Sequence, residues 1–149
     1  MSDELSLGRQ VCFALYAASR AVTQAYRSAL EPLGLTYPQY LVMLVLWERG
    51  AVTVKELGAA LELDSGTLSP LLKRLEATGY VSRQRSAADE RVVEIHLTDA
   101  GTSLRERAVA VPGMLLRSTG MTTSELVALR GDLVRLASSV SAHPLGEQL

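Results

Sequence analysis

The most reactive side chain in this sequence is its single cysteine, Cys12. From the residue type alone, an unpaired cysteine is often a small buried apolar residue, and that interpretation stays open. Two neighbouring features favour a reactive thiol instead. Cys12 falls in the first turns of a predicted helix, where the positive end of the helix dipole favours the thiolate. Tyr16 follows four residues later and shares a helical face with Cys12.

The tyrosines cluster in the part of the chain that contains Cys12. Four of them fall within the first forty residues, namely Tyr16, Tyr26, Tyr37 and Tyr40. A phenol is one of the few side chains that can donate a hydrogen bond to a thiolate in an apolar pocket. Tyr26 lies about 21 Å from Cys12 along a straight helix. Any contact between these two residues must therefore come from a second subunit.

A second group of polar side chains lies near the middle of the chain. Ser65, Thr67 and Ser69 occupy the start of a predicted helix, and Lys73 and Arg74 follow one turn later. Short polar groups at a helix N-terminus can reach bases or phosphates in the major groove, and basic groups can contact the DNA backbone. The alternative is an ordinary capped surface helix.

Basic side chains also mark a predicted hairpin. Arg83 and Arg85 alternate along one strand, so both project from the same face. Asp89 precedes Arg91 by two residues and can hold its guanidinium by a charge-assisted hydrogen bond. An arginine fixed in this way suits a narrow minor groove, whose negative potential attracts it. A solvated charged loop is the alternative.

Helix starts are well marked by capping boxes, in which a threonine precedes Gln or Glu by three residues. These begin at Thr36, Thr53 and Thr122. The apolar periodicity predicts helices at about 7–30, 37–48, 54–61 and 64–79, strands at 80–85 and 91–97, a helix from 98 broken near 111–113, and a last helix at about 123–141. Gly79 is a suitable residue to end the fourth helix.

This order of elements predicts the fold class. Two short helices joined by a tight link at 62–64, with a hairpin directly after them, indicate a winged helix-turn-helix within a mainly α (α+β) protein. An all-α domain with an incidental hairpin is the alternative. In the last helix, apolar residues recur at spacings of three and four, as in a helix-packing seam. They are Leu126, Leu129, Leu133, Leu136 and Val140.

Composition limits the other functions. The 149 residues carry a net charge of −1, so any DNA-binding surface must arise from where the charges lie. No apolar run approaches the roughly 18 residues that span a bilayer, and no targeting segment is evident, so we expect a cytoplasmic protein with no membrane contact. His96 and His143 lack metal-ligand spacing, and one cysteine forms no internal disulfide. No metal or cofactor is expected.

Residues 53–97 resemble the MarR family of bacterial transcriptional regulators. The resemblance lies in the run DSGTLSPLLKRLE at 64–76 and in the hairpin segment from Arg83 to Arg91. It implies one MarR-like domain over 1–149, with a DNA-binding module at 36–97 and dimerisation helices at 1–35 and 98–149. It also implies recognition-helix contacts from Ser65 to Arg74 and a wing contact by Arg91, supported by Asp89.

The N-terminal half is similar to one branch of that family, the organic hydroperoxide resistance regulators. The matching runs are CFALYAASR at 12–20, LTYPQY at 35–40, LWE at 46–48 and LDSGTL at 63–68. The resemblance implies that Cys12 is the peroxide sensor, that Tyr26 and Tyr37 bond to it from the partner subunit, and that Tyr16 packs nearby. Some members carry a second, resolving cysteine. This chain has none and resembles the one-cysteine type.

The resulting hypothesis is a homodimeric repressor that binds palindromic DNA while Cys12 is reduced and releases it when an organic hydroperoxide oxidises Cys12. The oxidised sulfur could condense with a small cellular thiol, cyclise with a backbone nitrogen, or overoxidise. One alternative is a MarR-type repressor released by a small aromatic ligand. An enzyme such as a thiol peroxidase is not expected, because no resolving thiol or peroxidase motif is present. A plain interaction module would show no sequence-specific DNA binding.

Overall fold

The computed structural model describes residues 4–147. The helices are α1 (Val11–Leu30), α2 (Tyr37–Arg49), α3 (Val54–Leu61), α4 (Ser65–Ala77), α5 (Asp99–Ala108), α6 (Val111–Thr119) and α7 (Thr123–Ala142), and the strands are β1 (Val52–Thr53), β2 (Val81–Arg85) and β3 (Val93–Leu97). Short 3-10 turns occupy Leu7–Arg9, Glu31–Leu33 and Leu145–Glu147. The predicted winged helix-turn-helix in a mainly α fold is confirmed.

The three predicted capping boxes are present with both of their hydrogen bonds. Thr36, Thr53 and Thr122 each accept from the N–H three residues later, and the Gln or Glu at that position accepts from the N–H of the threonine. These reciprocal bonds pair N–H groups that a helix start otherwise leaves without partners. The predicted starts of α2, α3 and α7 are therefore confirmed.

The small sheet contains one strand more than predicted. β3 lies in the centre, antiparallel to β2 on one side and to the two-residue β1 on the other. In the pairing of β1 with β3, Val52 lies opposite Ile95. The wing is thus attached to the chain segment between α2 and α3 as well as to its own hairpin.

Predicted boundaries were wrong at three places. The helix break predicted near 111–113 lies at 109–110, because proline is tolerated in the first turn of a helix and α6 therefore begins at Val111. The first helix begins at Val11, because Leu7–Arg9 forms a separate 3-10 turn. The second wing strand begins at Val93 instead of Arg91, because the N–H of Val92 bonds to the carbonyl of Asp89 and closes a turn.

The core lies among α2, α3, α4, the sheet and α5. Its fully buried side chains come mainly from α2 and α4, and include Val42, Met43, Leu46, Leu68, Leu72, Leu75 and Ile95.

The chain divides into two compact units, and the boundary in the sequence lies between Val111 and Pro112. The assignment of 36–97 to DNA binding and of the flanking segments to dimerisation stays a prediction.

Candidate thiol sensor and DNA-binding surface

Cys12 is the second residue of α1, and its side chain is exposed. The helix cap is Gln10, whose side chain makes no capping bond and instead donates to the carbonyls of Glu4 and Ser6, at 2.7 and 3.3 Å. Within residues 4–147, no side chain caps the N–H groups in the first turn of α1. Cys12 lies in that turn, at the positive end of the helix dipole.

Tyr16 lies one turn after Cys12 and is also exposed. The guanidinium of Arg20 stacks over its ring at 5.5 Å from the centroid, a cation–π contact between successive turns. Leu30 is the one buried residue of α1, and Phe13, Leu15 and Val22 are exposed large apolar side chains. Helix α1 thus exposes several large apolar side chains.

Tyr26 and Tyr37 lie together, on α1 and α2. Their ring centroids are 4.6 Å apart, and Tyr40 approaches Tyr26 at 5.8 Å. Burial and the neighbouring phenols of Tyr37 and Tyr40 raise the pKa of Tyr26 to about 12. Burial, followed by the neighbouring Tyr37, also raises the pKa of Tyr40. Tyr26 and Tyr40 are therefore protonated at neutral pH, and each can donate a hydrogen bond.

Within one chain, the structure does not bring the thiol and these tyrosines together. Because α1 is continuous from Val11 to Leu30, Cys12 and Tyr26 are separated by about 21 Å along its axis. In the part of the chain that the structure describes, no acceptor is paired with the hydroxyl of Tyr26 or Tyr37. A cleft of about 520 Å³ opens beside Tyr37 and is lined also by Thr23, Arg27, Leu35 and Pro38.

The predicted recognition helix is α4, and its polar residues face outward. Asp64 caps it by accepting from the N–H of Thr67 at 2.7 Å, and the hydrogen bonds from Thr67 hold the pKa of that carboxyl below its usual range. The predicted contact residues are all exposed, while Leu68, Leu72 and Leu75 on the other side are buried. These exposed residues are Ser65, Thr67, Ser69, Lys73 and Arg74.

The wing carries three arginines in different environments. Arg83 donates to the main-chain carbonyl of Ser69 at 3.2 Å, so it contacts the recognition helix. Arg85 donates to the carbonyl of Glu90 at 2.9 Å. Arg91 projects into solvent with 91% of its side chain exposed, and its Nε lies 3.2 Å from a carboxylate oxygen of Asp89.

Asp89 orders the wing tip through more than one bond. It accepts from the main-chain N–H of Arg91 at 3.0 Å as well as from the guanidinium. These hydrogen bonds hold the pKa of its carboxyl below its usual range. The predicted acid–arginine pair is therefore present, and it fixes both the backbone and the side chain of Arg91.

Comparison with known proteins identifies the family. A family model described as transcriptional regulator SarA/Rot matches residues 24–107. The HTH-type transcriptional regulator TtmR of Methylorubrum extorquens is 51% identical over 95% of this chain and 72% of its own. The organic hydroperoxide resistance transcriptional regulator of Bacillus subtilis is 46% identical over 93% of this chain and 94% of its own.

The chain belongs to the MarR-like transcriptional regulators. The similarity to the hydroperoxide-resistance branch that the sequence indicated is confirmed, and the one-cysteine type stays a prediction. The prediction that the chain is not an enzyme is also confirmed, because its relatives are transcriptional regulators.

Solved structures of AbfR of Staphylococcus epidermidis share the fold. Reduced AbfR bound to DNA has a TM-score of 0.76 and 37% identity, and covers 93% of this chain and 96% of its own. AbfR has also been solved overoxidised on DNA, with a TM-score of 0.75, and in a disulfide form, with a TM-score of 0.64. Within residues 4–147, no helix is long and apolar enough to cross a membrane.

The sequence interpretation left two aromatic residues without a role. Tyr40 and Trp47 lie on α2, three and ten residues after Tyr37, and therefore continue the helical face that begins at Tyr37. The rings of Tyr40 and Trp47 are 6.4 Å apart. This helical spacing is a signal that the sequence already contained.

Proposed function

We propose that this regulator is a homodimeric repressor that binds operator DNA while Cys12 is reduced and releases it when an organic hydroperoxide oxidises Cys12. The observation that carries the proposal is an exposed thiol, Cys12, that lies about 21 Å along the same helix from Tyr26, a half-buried tyrosine able to donate a hydrogen bond. The similarity to the Bacillus subtilis organic hydroperoxide resistance regulator over almost the whole chain supports it.

A dimer would complete the sensor. Large apolar side chains are exposed on α1, and α7, which buries no residue fully, exposes Leu129, Leu133 and Leu136. Exposed apolar surface of this kind marks an interaction site. In the proposed dimer, Cys12 of one subunit meets Tyr26 and Tyr37 of the other. The cleft beside Tyr37 provides space for the incoming side chain.

The proposed oxidation is a transfer of oxygen to sulfur. The Cys12 thiolate attacks one oxygen of the hydroperoxide, the O–O bond breaks, and the sulfur becomes a sulfenic acid while the alkoxide leaves and is protonated to the alcohol. Hydroxyls of Tyr26 and Tyr37 would hold the thiolate by hydrogen bonds before the attack. The chain has no second cysteine to form a disulfide with the sulfenic acid. We propose that the sulfenic acid instead condenses with a small cellular thiol, which gives a mixed disulfide and releases water.

The size of the product determines release in this proposal. AbfR has been solved on DNA in the overoxidised as well as the reduced state. By analogy, we expect added oxygens on Cys12 to be tolerated better than a whole thiol adduct. This chain matches reduced AbfR on DNA with a higher TM-score than the disulfide form, 0.76 against 0.64, at similar identity. That difference supports a change of shape on disulfide formation.

The proposed DNA contacts follow the exposed surface of α4 and the wing. Ser65, Thr67 and Ser69 would reach bases or phosphates from the first turns of α4, with Lys73 and Arg74 on the backbone. On the wing, Arg91 would enter the minor groove in the pose set by Asp89, beside Arg83 and Arg85. The two subunits must contact both half-sites at once, and the half-sites are about 34 Å apart. If oxidation ends this simultaneous contact and removes about 3–4 kcal/mol of binding free energy, affinity falls a few hundredfold.

The test compares wild-type protein with Cys12→Ser on a palindromic site selected from random DNA by the reduced protein. Each is treated with cumene hydroperoxide, with and without a small thiol, and its DNA affinity and intact mass are measured. We expect wild type to lose affinity together with a mass increase of one thiol adduct, and Cys12→Ser to keep its affinity. Release of Cys12→Ser by peroxide would refute the sensor role. Release of unmodified protein by an aromatic acid would favour the ligand-responsive alternative.

A further inference from the structure

Four aromatic side chains, which we call the aromatic row, extend from the proposed sensor into the DNA-binding module. The row consists of Tyr26, Tyr37, Tyr40 and Trp47. Ring centroids are 4.6 Å apart between Tyr26 and Tyr37, 5.8 Å between Tyr26 and Tyr40, and 6.4 Å between Tyr40 and Trp47. These separations fall within the range of direct aromatic packing. A displacement of the rings of Tyr26 and Tyr37 therefore shifts the rings of Tyr40 and Trp47, which pack in contact with them in turn.

The far end of the row is bonded to the base of the wing. The indole N–H of Trp47 donates to the main-chain carbonyl of Gly101 at 2.9 Å, a bond between residues that lie 54 positions apart. Gly101 is in the first turn of α5, which directly follows β3. Its N–H bonds to the hydroxyl of Thr98, the α5 cap. Trp47 thus contacts the point at which the wing ends and α5 begins.

That point also contacts the end of the recognition helix. The Thr98 hydroxyl donates to the carbonyl of Gly79 at 2.6 Å, and the Thr98 N–H donates to the carbonyl of Tyr80 at 3.0 Å. A side chain on Gly101 would collide with the main chain of Tyr80, so the two backbones pack directly on each other. Movement of Gly101 therefore moves the junction of α4 and β2.

Helix α2 connects the two ends of the row. Tyr37 is its first residue, Trp47 lies in its last turn, and Val42, Met43 and Leu46 between them are at most 1% exposed. A close-packed helix of this kind shifts as a rigid body instead of deforming locally. We therefore expect a displacement of Tyr37 to move Trp47 by nearly the same amount.

We propose that Trp47 is the positioning residue that couples the thiol sensor to the DNA-reading surface, acting through its bond to Gly101. The inference rests on the proposed function, because it requires oxidation of Cys12 to displace the tyrosine end of the row. In the reduced protein, the row and the indole bond hold the α4–wing junction in its DNA-binding arrangement. A thiol adduct among the tyrosines shifts α2, and the indole carries that shift to α5 and the wing.

The test compares the 149-residue chain with its Trp47→Phe variant, which keeps an aromatic ring but removes the indole donor. The matched control is Tyr80→Phe, which removes only a hydroxyl whose half-buried bond to the Leu33 carbonyl, 3.0 Å long, lies outside the row. It keeps the main-chain contacts of Tyr80 with Thr98 and Gly101. Operator affinity is measured for each protein with Cys12 reduced and as the mixed disulfide. For Trp47→Phe we expect the affinity lost on oxidation to fall to less than roughly tenfold, while wild type and Tyr80→Phe keep the full loss.

A second readout is the fluorescence emission of Trp47 itself, which needs no variant of that residue. Trp47 is the single tryptophan of the chain, so the emission reports on this site alone. We expect the emission to change when Cys12 is converted to the mixed disulfide without DNA, and to stay constant for peroxide-treated Cys12→Ser. Unchanged emission in a wild-type protein that releases DNA on oxidation would overturn the inference. So would a Trp47→Phe protein with the full wild-type loss. A wild type that keeps its DNA after oxidation would instead refute the proposed function.

Discussion

The guanidinium of Arg83 bonds to the main-chain carbonyl of Ser69, which joins the first wing strand to the recognition helix. The main-chain N–H of Arg83 also donates to the carboxylate of Glu76 at 2.9 Å. Strand β2 is thereby attached to α4 at two points along the helix. The two proposed DNA-contacting elements therefore form one continuous surface.

Arg83 is predicted to act mainly by holding the wing in place. For Arg83→Gln we expect operator affinity to fall by about three- to tenfold, because the bond to Ser69 is lost. The slope of log affinity against log salt concentration should change by clearly less than the loss of one phosphate contact would cause. The reason is that the guanidinium already donates to the Ser69 carbonyl. Anisotropy titrations at several salt concentrations measure both quantities. A full one-contact change in slope would show that Arg83 binds phosphate.

Arg91 is predicted to act by charge. For Arg91→Ala we expect affinity to fall by about tenfold and the slope against log salt to become shallower by about one. Asp89→Asn should weaken binding less and leave the slope unchanged, because the cation remains but is held less firmly. Arg9→Ala, which alters an exposed arginine outside the wing, is the control. Equal slopes for Arg91→Ala and wild type would place Arg91 outside the interface.

Alkaline pH should destabilise the fold through Tyr26. Its pKa is raised from 10.0 to about 12, so the folded chain binds the phenolic proton more tightly than the unfolded chain does. The associated stability is complete below pH 10 and is lost as the pH rises toward 12. Melting temperatures of wild type and Tyr26→Phe across this interval measure the effect. A wild-type curve parallel to that of Tyr26→Phe would contradict it.

Gly101 should tolerate no side chain. A Cβ there would collide with the main chain of Tyr80, which cannot rotate away, so we expect Gly101→Ala to lower the free energy of unfolding by roughly 2–4 kcal/mol. Gly131→Ala is the matched control in α7, since nothing lies within 4 Å of a Cβ there. It should leave stability unchanged or raise it by up to about 1 kcal/mol. Urea denaturation of both variants compares them directly, and equal midpoints would refute the close packing.

Local chemistry explains which elements could be predicted. A capping box is complete within four residues, so Thr36, Thr53 and Thr122 could each be identified without knowledge of the fold. Gly79 was recognisable as a helix end for a similar reason. It adopts φ 83°, a left-handed conformation that glycine reaches without a Cβ clash.

Non-local pairing explains what was missed. Strand β1 has two residues, too few to show alternation, and it exists because Val52 pairs with Ile95 far along the chain. The bond from Trp47 to Gly101 likewise joins distant residues, and an indole in a helix gives no indication of its acceptor. The surroundings of the thiol are still harder to predict from one sequence, because α1 separates Cys12 from Tyr26 in the same chain.

The sparse packing of α1 also has a thermodynamic consequence. A helix of 20 residues that buries only Leu30 gains little from the rest of its own chain, and in proteins most of the stability of a helix comes from packing against other elements. If a second copy covers that surface, folding of α1 and pairing of subunits become a single equilibrium governed by mass action. The thermal midpoint should then rise with protein concentration, even without DNA. The number of copies in a cell would thus set how much of the regulator is folded, as well as how much of its operator is occupied.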